Sequence, residues 1–497
     1  MPAATNKLRP LLPILALAGL TVVFLFAAPA TLRLAFIPLA TIAALILFLQ
    51  SRTLYIELCL WLWFLTPLLR RLIDGRTSYS DQSAILVTPF LAASISGIVL
   101  LRNPRTLSRP GGVPFACALA GILFGTVYGL TRYGLFDVGR GVINWLAPIF
   151  FGFFLYQERH RYKAYRDAFT RSLLWGTLLT SIYGIYQFFF LPSWDETWMH
   201  GLVFSVFGEA APRKVRVFST MNAPAVLAFY VTAGLLLILA LLVDRQEATP
   251  SHTPSYRKKW FLALTAPLGL LALGLTTTRA LWISFLAGIL YLAWTITGPA
   301  RVRVVGFALI VLIVVGAATQ APGIHEIVVT RLQSFTSGTQ DVSAAARITG
   351  HASALAKLAT EPLGEGMGST DTDHDTNGSD ASIGPHDSTL LEFLYSLGAP
   401  GTLIYTVGFA FGLILIFFPR HPRSQADRQP FAYAMRAATF AFLAASLLES
   451  ILIGIPGFLI WACFGFALST CEPITTHKAT RTPDLPAPGI ERELEYR

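Results

Sequence analysis

The sequence predicts an all-α fold: a polytopic transmembrane helical bundle of about 12–14 helices, N-in and C-in, with one large extracytoplasmic loop subdomain. Three observations carry the prediction. Of 497 residues 54% are apolar and only 13% charged, roughly half the charged share of a soluble domain. Mean hydropathy is +0.57. The apolar residues also fall in runs near the roughly 20 residues a helix needs to cross a bilayer. An ordinary soluble enzyme is thereby excluded.

In chain order the runs are Leu11–Ala28, Leu34–Gln50, Thr53–Leu69, Ala84–Leu101, Val113–Leu130, Gly141–Tyr156, Ser172–Leu191, Ala223–Val243, Trp260–Leu275, Ala280–Ile296, Val304–Ala318, a stretch within Leu390–Phe418, Phe431–Leu448 and Ile451–Ser469. Two are ambiguous. Leu390–Phe418 is too long for one straight span, and the break before Ile451 rests on Glu449-Ser450 and Pro456-Gly457 alone. Residues 1–30 also resemble a secretory signal, with Lys7 and Arg9 ahead of an apolar run and Ala28-Pro29-Ala30 as a cleavage site, although an uncleaved first helix is the expectation. No internal repeat of the kind many transporters carry is evident.

Basic residues set the orientation, because cytoplasmic loops retain Lys and Arg. With the N-terminus inside, 25 of the 38 basic residues fall on the cytoplasmic side, while acidic residues favour the outside. The net charge of +10 therefore reads as topology, and no nucleic-acid partner is expected. Cys59, Cys117 and Cys463 lie in apolar runs and Cys471 just beyond the last, a pattern offering neither a disulfide framework nor metal-ligand spacing. The chain divides into N-terminal membrane helices (1–191), an outer loop (192–222), central membrane helices (223–318), the large outer loop (319–388), C-terminal membrane helices (389–470) and a cytoplasmic tail (471–497).

The polar chemistry gathers on the outer side. Within the large loop, Ser343–Leu358 reads as a short helix that stops before Pro362. Arg140, Arg216, Arg279 and Arg347 stand at outer membrane boundaries, where positive charge is disfavoured. Arg279 follows Thr276-Thr277-Thr278 in a tight turn with no acid within ten residues. It reads either as a snorkelling structural arginine or as an anion site, since a guanidinium is a permanently charged fork matched to phosphate oxygens. Arg216 lies in a basic cluster ahead of the helix starting near Asn222-Ala223-Pro224, which suits an anion or an acidic lipid headgroup. His386, where the loop returns to the bilayer, is the side-chain type best matched to moving a proton near neutral pH, or a structural histidine.

Two further patterns are weaker. The tract from Asp371 to Asp380 contains the first half of an EF-hand loop, Asp373-x-Asp375-x-Asn377-Gly378, but Gly384 stands where the bidentate Glu belongs. It reads as an acidic loop or a calcium clip. Gly364, Gly366 and Gly368 read as a loop turn or a phosphate cradle, with no strand before them.

Four motifs in order resemble the O-antigen ligase and O-antigen polymerase superfamily. They are Arg216 with Ser219-Thr220-Met221-Asn222-Ala223-Pro224; Thr276-x-x-Arg279-Ala280; Arg347 with Glu361-Pro362-Leu363-Gly364-Glu365-Gly366; and His386-Asp387-Ser388-x-x-Leu391 with Gly398-x-x-Gly401. The motifs span about residues 200–420. Many family members carry Asn where this chain has Asp387. The resemblance implies a bacterial inner-membrane glycosyltransferase of surface polysaccharide biosynthesis, its active site facing the periplasm. Its donor would be a polyprenyl-diphosphate-linked glycan, such as an undecaprenyl diphosphate, and its acceptor a glycan or lipid-linked hydroxyl. Transfer would invert the anomeric carbon without nucleotide sugar, cofactor or metal.

Carried onto matching residues, His386 would be the general base, Arg216 and Arg279 would bind diphosphate, and Arg347 would orient phosphate or loop. Arg140 is added from its place at the outer end of the sixth run. Polymerisation of exopolysaccharide or O-antigen repeat units is favoured over ligation to the lipid A core of lipopolysaccharide. A flippase or transporter would instead place ionisable groups at mid-membrane, where only Glu57 lies clearly inside an apolar run. A membrane scaffold would leave Arg279 without a task that Lys could not perform.

Overall fold

The computed structural model describes residues 9–80, 83–202, 207–243, 254–318, 342–369, 388–418 and 429–471, with the backbone alone at 9, 310–318 and 342–348. Helices account for these residues almost throughout. They are α1 (Leu12–Ala27), α2 (Pro29–Gln50), α3 (Arg52–Asp74), α4 (Ala84–Arg102, with 3-10 turns at 84–87 and 95–97), α5 (Val113–Gly129), α6 (Leu135–Gln157), α7 (Tyr162–Phe190) and the short α8 (Ser193–His200). There follow α9 (Pro224–Val243), α10 (Lys259–Leu275), α11 (Arg279–Thr295), α12 (Pro299–Ala318), α13 (Val342–Thr360), α14 (Thr389–Phe417), α15 (Pro430–Ala445) and α16 (Gly454–Cys471). Each of the fourteen apolar runs lies on a helix. Eight described helices are long and apolar enough to cross a membrane, and α1, α10 and α11 are shorter apolar helices. The chain is an all-α, multi-pass membrane protein.

Local sequence explains many of the starts. Proline occupies the first turn of α1, α2, α5 and α15, where its missing N–H costs no helical bond. The ambiguous runs resolve physically. In α14, Gly398 leaves helical geometry (φ 62°, ψ −177°) and divides the overlong run into two helical pieces. The weak break at Glu449-Ser450 is a real one, because α15 ends at Ala445 and α16 begins only at Gly454, itself at φ 58°. The helix expected over Ser343–Leu358 is α13.

The core is centred on α9 and α16, which are apolar on all sides and buried almost throughout. α1 is equally apolar but leaves Leu15, Val23 and Phe26 exposed, as a helix on the lipid-facing side of a bundle can. Around Trp461 of α16 the rings of Phe115, Tyr405, Phe409 and Phe464 pack with centroids 5.2–6.2 Å away. Small residues set the closest approach of α5 and α14. A Cβ on Gly121 would stand 2.6 Å from the Gly401 carbonyl oxygen, so only glycine permits that crossing.

The ionic contacts sort into two sets at opposite helix ends. One rim joins Arg52 to Glu158 and Arg257 to Asp167. The other joins Arg33 to Asp74, Arg71 to Asp195 and Arg132 to Glu361. Arg216, the turn before Arg279, the 361–369 loop and Ser388 all belong to the second rim.

Candidate functional site

Arg216 lies in a segment held open by backbone pairing rather than by helix. Its N–H donates to the Phe207 carbonyl (2.8 Å), and the Val217 N–H donates to the Leu275 carbonyl at the end of α10 (3.1 Å). That anchor delivers the guanidinium to the turn between α10 and α11. Arg216 Nε donates to Thr277 Oγ1 (2.8 Å), and its terminal nitrogen reaches Thr278 Oγ1 (3.3 Å). Thr277 adopts φ 52°, a left-handed conformation costly for a β-branched residue. Thr276 fixes the turn from behind by donating its hydroxyl to the Leu273 carbonyl (2.7 Å).

Arg279 is the first residue of α11 and is half-buried. The preceding Thr278 makes no side-chain cap to the helix. Arg216 thus reaches the three-threonine turn from which Arg279 opens α11, a helix N-terminus whose dipole and first-turn N–H groups favour negative charge. Such an arrangement can hold a diphosphate.

A buried network fixes the far side of the Arg216 segment. Arg71, at the C-terminal end of α3, and Asp195, on α8, are both fully buried and 2.9 Å apart. Arg71 also donates to the Ser219 carbonyl (2.5 Å), with its guanidinium 4.7 Å from the Phe218 ring centroid. Gln187 of α7 donates to Asp195 (2.6 Å) and accepts from the N–H groups of Phe218 (3.1 Å) and Ser219 (2.8 Å). Sequence reading overlooked these residues. The available signal was Arg70-Arg71 itself, a pair of positive charges at the end of an apolar run.

Arg140 lies on α6, next to Gly141, whose built Cβ would be 3.2 Å from the Gly368 nitrogen. It therefore borders the glycine loop. That loop is a turn wedged between α5 and α14. The N–H groups of Glu365 and Gly366 donate to the Tyr395 carbonyl, that of Met367 to the Gly125 carbonyl, and Ala399 N–H to the Pro362 carbonyl. The N–H groups of Glu365, Gly366 and Met367 are thus given to helix carbonyls, as in a turn packed against its neighbouring helices. Gly364, Gly366 and Gly368 have φ of 70°, 93° and 102°, which suits glycine alone. Glu365 pairs with Lys357 of α13, and hydrogen bonding to that carboxylate holds the ammonium above its ordinary range.

His386 and Asp387 lie outside the described residues, as do Asp371 to Asp380. Ser388, directly after them, is buried and caps α14, its Oγ accepting from the Leu391 N–H (3.2 Å). The same oxygen is 2.8 Å from His351 Nε2 on α13, a contact sequence reading did not anticipate. Thr389 is pinned to the end of α15, its N–H to the Ser446 carbonyl and its hydroxyl to the Glu449 carbonyl, both at 3.1 Å. The chain is thus fixed within two residues of His386. Arg347 lies on α13, one helical turn before His351, with its backbone alone described. α15 also packs on α11, Ser284 donating to the Ala441 carbonyl (2.5 Å), so the Arg279 helix and the Ser388 re-entry share a neighbour. Among the described residues, no cluster of three His, Cys, Asp or Glu side chains could hold a metal ion.

Residues 264–406 match the family model described as O-Antigen ligase. No curated protein matches the chain. The matched span contains Arg279, Arg347, the glycine loop and His386, whereas Arg140 and Arg216 precede it. The match supports the O-antigen ligase and polymerase superfamily that the four motifs resemble.

Proposed function

We propose that the protein transfers glycan from a polyprenyl-diphosphate donor to an acceptor hydroxyl at the periplasmic face of the bacterial inner membrane, without metal. The observation carrying this reading is the reach of Arg216 onto the Thr276–Thr278 turn that opens the Arg279 helix. The acceptor oxygen attacks the anomeric carbon from the side opposite the diphosphate. One glycosidic bond forms, the carbon–oxygen bond to diphosphate breaks, and configuration inverts. His386 takes the acceptor's proton. The departing diphosphate carries the developing negative charge, which Arg216 and Arg279 stabilise at a low-dielectric boundary, with Arg347 and Arg140 as outer contributors.

In this reading the acceptor is a growing lipid-linked chain, so that repeat units are polymerised; ligation to lipid A core differs only in the acceptor. A flippase is disfavoured because Glu57, the one acid clearly within an apolar run, is paired with Arg171.

The test uses full-length protein in liposomes with a polyprenyl-diphosphate-linked glycan and either a second lipid-linked glycan or a lipid A core as acceptor. New glycosidic bonds that vanish in His386→Ala and fall in Arg279→Lys are expected. The productive acceptor distinguishes polymerase from ligase. Donor movement across the bilayer without new bonds contradicts the proposal.

A further inference from the structure

We propose that Arg71 is a positioning residue for the anion site, acting through Ser219 to set the reach of Arg216; the proposal rests on the functional reading above. Arg71 is fully buried and its charge is matched by Asp195 at 2.9 Å. It is therefore neither placed nor charged to bind substrate itself. Burying such a pair costs desolvation that two apolar side chains would avoid while joining α3 to α8 as well. What apolar side chains cannot do is hold the polar backbone of a non-helical strand.

The network does hold it. Ser219 has φ 53°, a conformation a non-glycine residue keeps only when its surroundings over-determine it. Its carbonyl accepts from Arg71, its N–H donates to Gln187, and its hydroxyl donates to the Thr180 carbonyl (2.6 Å). Gln187 is itself oriented by Asp195, which Tyr183 also contacts (2.9 Å). Ser219 follows Arg216 by three residues, and the intervening Val217 is tied to α10. A shift at Ser219 therefore reaches the guanidinium on Thr277 with little slack between them.

Arg71→Lys keeps the charge beside Asp195 but loses the fork that contacts carboxylate and carbonyl together. Gln187→Met leaves the Arg71–Asp195 pair in place and removes the grip on the two N–H groups. The full-length protein is assayed in nanodiscs for glycan transfer against donor concentration, alone and combined with Arg216→Lys. Arg52→Lys, which disturbs the Arg52–Glu158 pair on the other rim, is the stability control.

Each variant is expected to lower kcat/KM for donor at least tenfold, but less than twofold further when Arg216 is already Lys. Arg52→Lys is expected to lower Tm without that shared loss. Losses that multiply in full with Arg216→Lys, or that follow Tm as in Arg52→Lys, overturn the positioning role. A fully active Arg216→Lys overturns the functional reading instead. Should Arg71→Lys fail to fold, Gln187→Met decides alone.

Discussion

Replacing Arg216 by lysine keeps a positive charge beside the Thr276–Thr278 turn and removes the geometry. The guanidinium donates from Nε to Thr277 Oγ1 at 2.8 Å while a terminal nitrogen meets Thr278 Oγ1 at 3.3 Å, so two contacts at once orient its plane on the turn. A lysine ammonium can make one of these contacts or approach the diphosphate, but it lacks the planar fork to do both. Losing one hydrogen bond to a charged group costs about 1.5–3 kcal/mol. At about 1.4 kcal/mol per tenfold, the expected fall in kcat/KM for the lipid-linked donor is roughly 10- to 150-fold. Initial rates in nanodiscs across a donor series measure it, with Arg216→Ala expected to be at least as impaired. A lysine variant within twofold of the parent would refute the reasoning, because charge alone would then suffice.

Gly398→Ala should destabilise the protein, since φ 62° and the Leu363 carbonyl both exclude a Cβ; an unchanged Tm would argue against the α14 kink. Ser388→Ala should cost about 1 kcal/mol, the worth of a lost helix N-cap, and speed hydrogen exchange at Leu391; unaltered exchange there would count against the cap. Single cysteines at exposed Arg105 and Arg132 should react with an impermeant thiol reagent from opposite sides of the membrane, Arg132→Cys from outside. Labelling of both from one side would overturn the topology.

The helices were legible because lipid imposes a crude and strong constraint. A run near twenty apolar residues must bond its backbone internally, and polar breaks mark where it may stop. Where that punctuation is faint, the sequence is ambiguous, as at Gly398 within an unbroken apolar run and at Glu449-Ser450. The arginines at the outer boundary were legible for the same reason, since charge there is conspicuous.

Their convergence was not legible. Thr277 lies 61 residues beyond Arg216, and the contact depends on left-handed turns at Ser219 and Thr277 that neither residue type favours. The Arg71–Asp195–Gln187 network joins α3, α8 and α7 across long sequence separations, so its members read singly as a loop charge, a loop acid and a helix polar residue. Likewise the glycines at 364, 366 and 368 admit a turn or a cradle until the partners of the neighbouring N–H groups are known.

A structure of the protein bound to a polyprenyl diphosphate would test the central claim most directly. The account predicts diphosphate oxygens at charge-assisted hydrogen-bond distance, about 2.7–2.9 Å, from the guanidinium groups of both Arg216 and Arg279 at the start of α11. Diphosphate density on the opposite rim, or held by neither arginine, would contradict it.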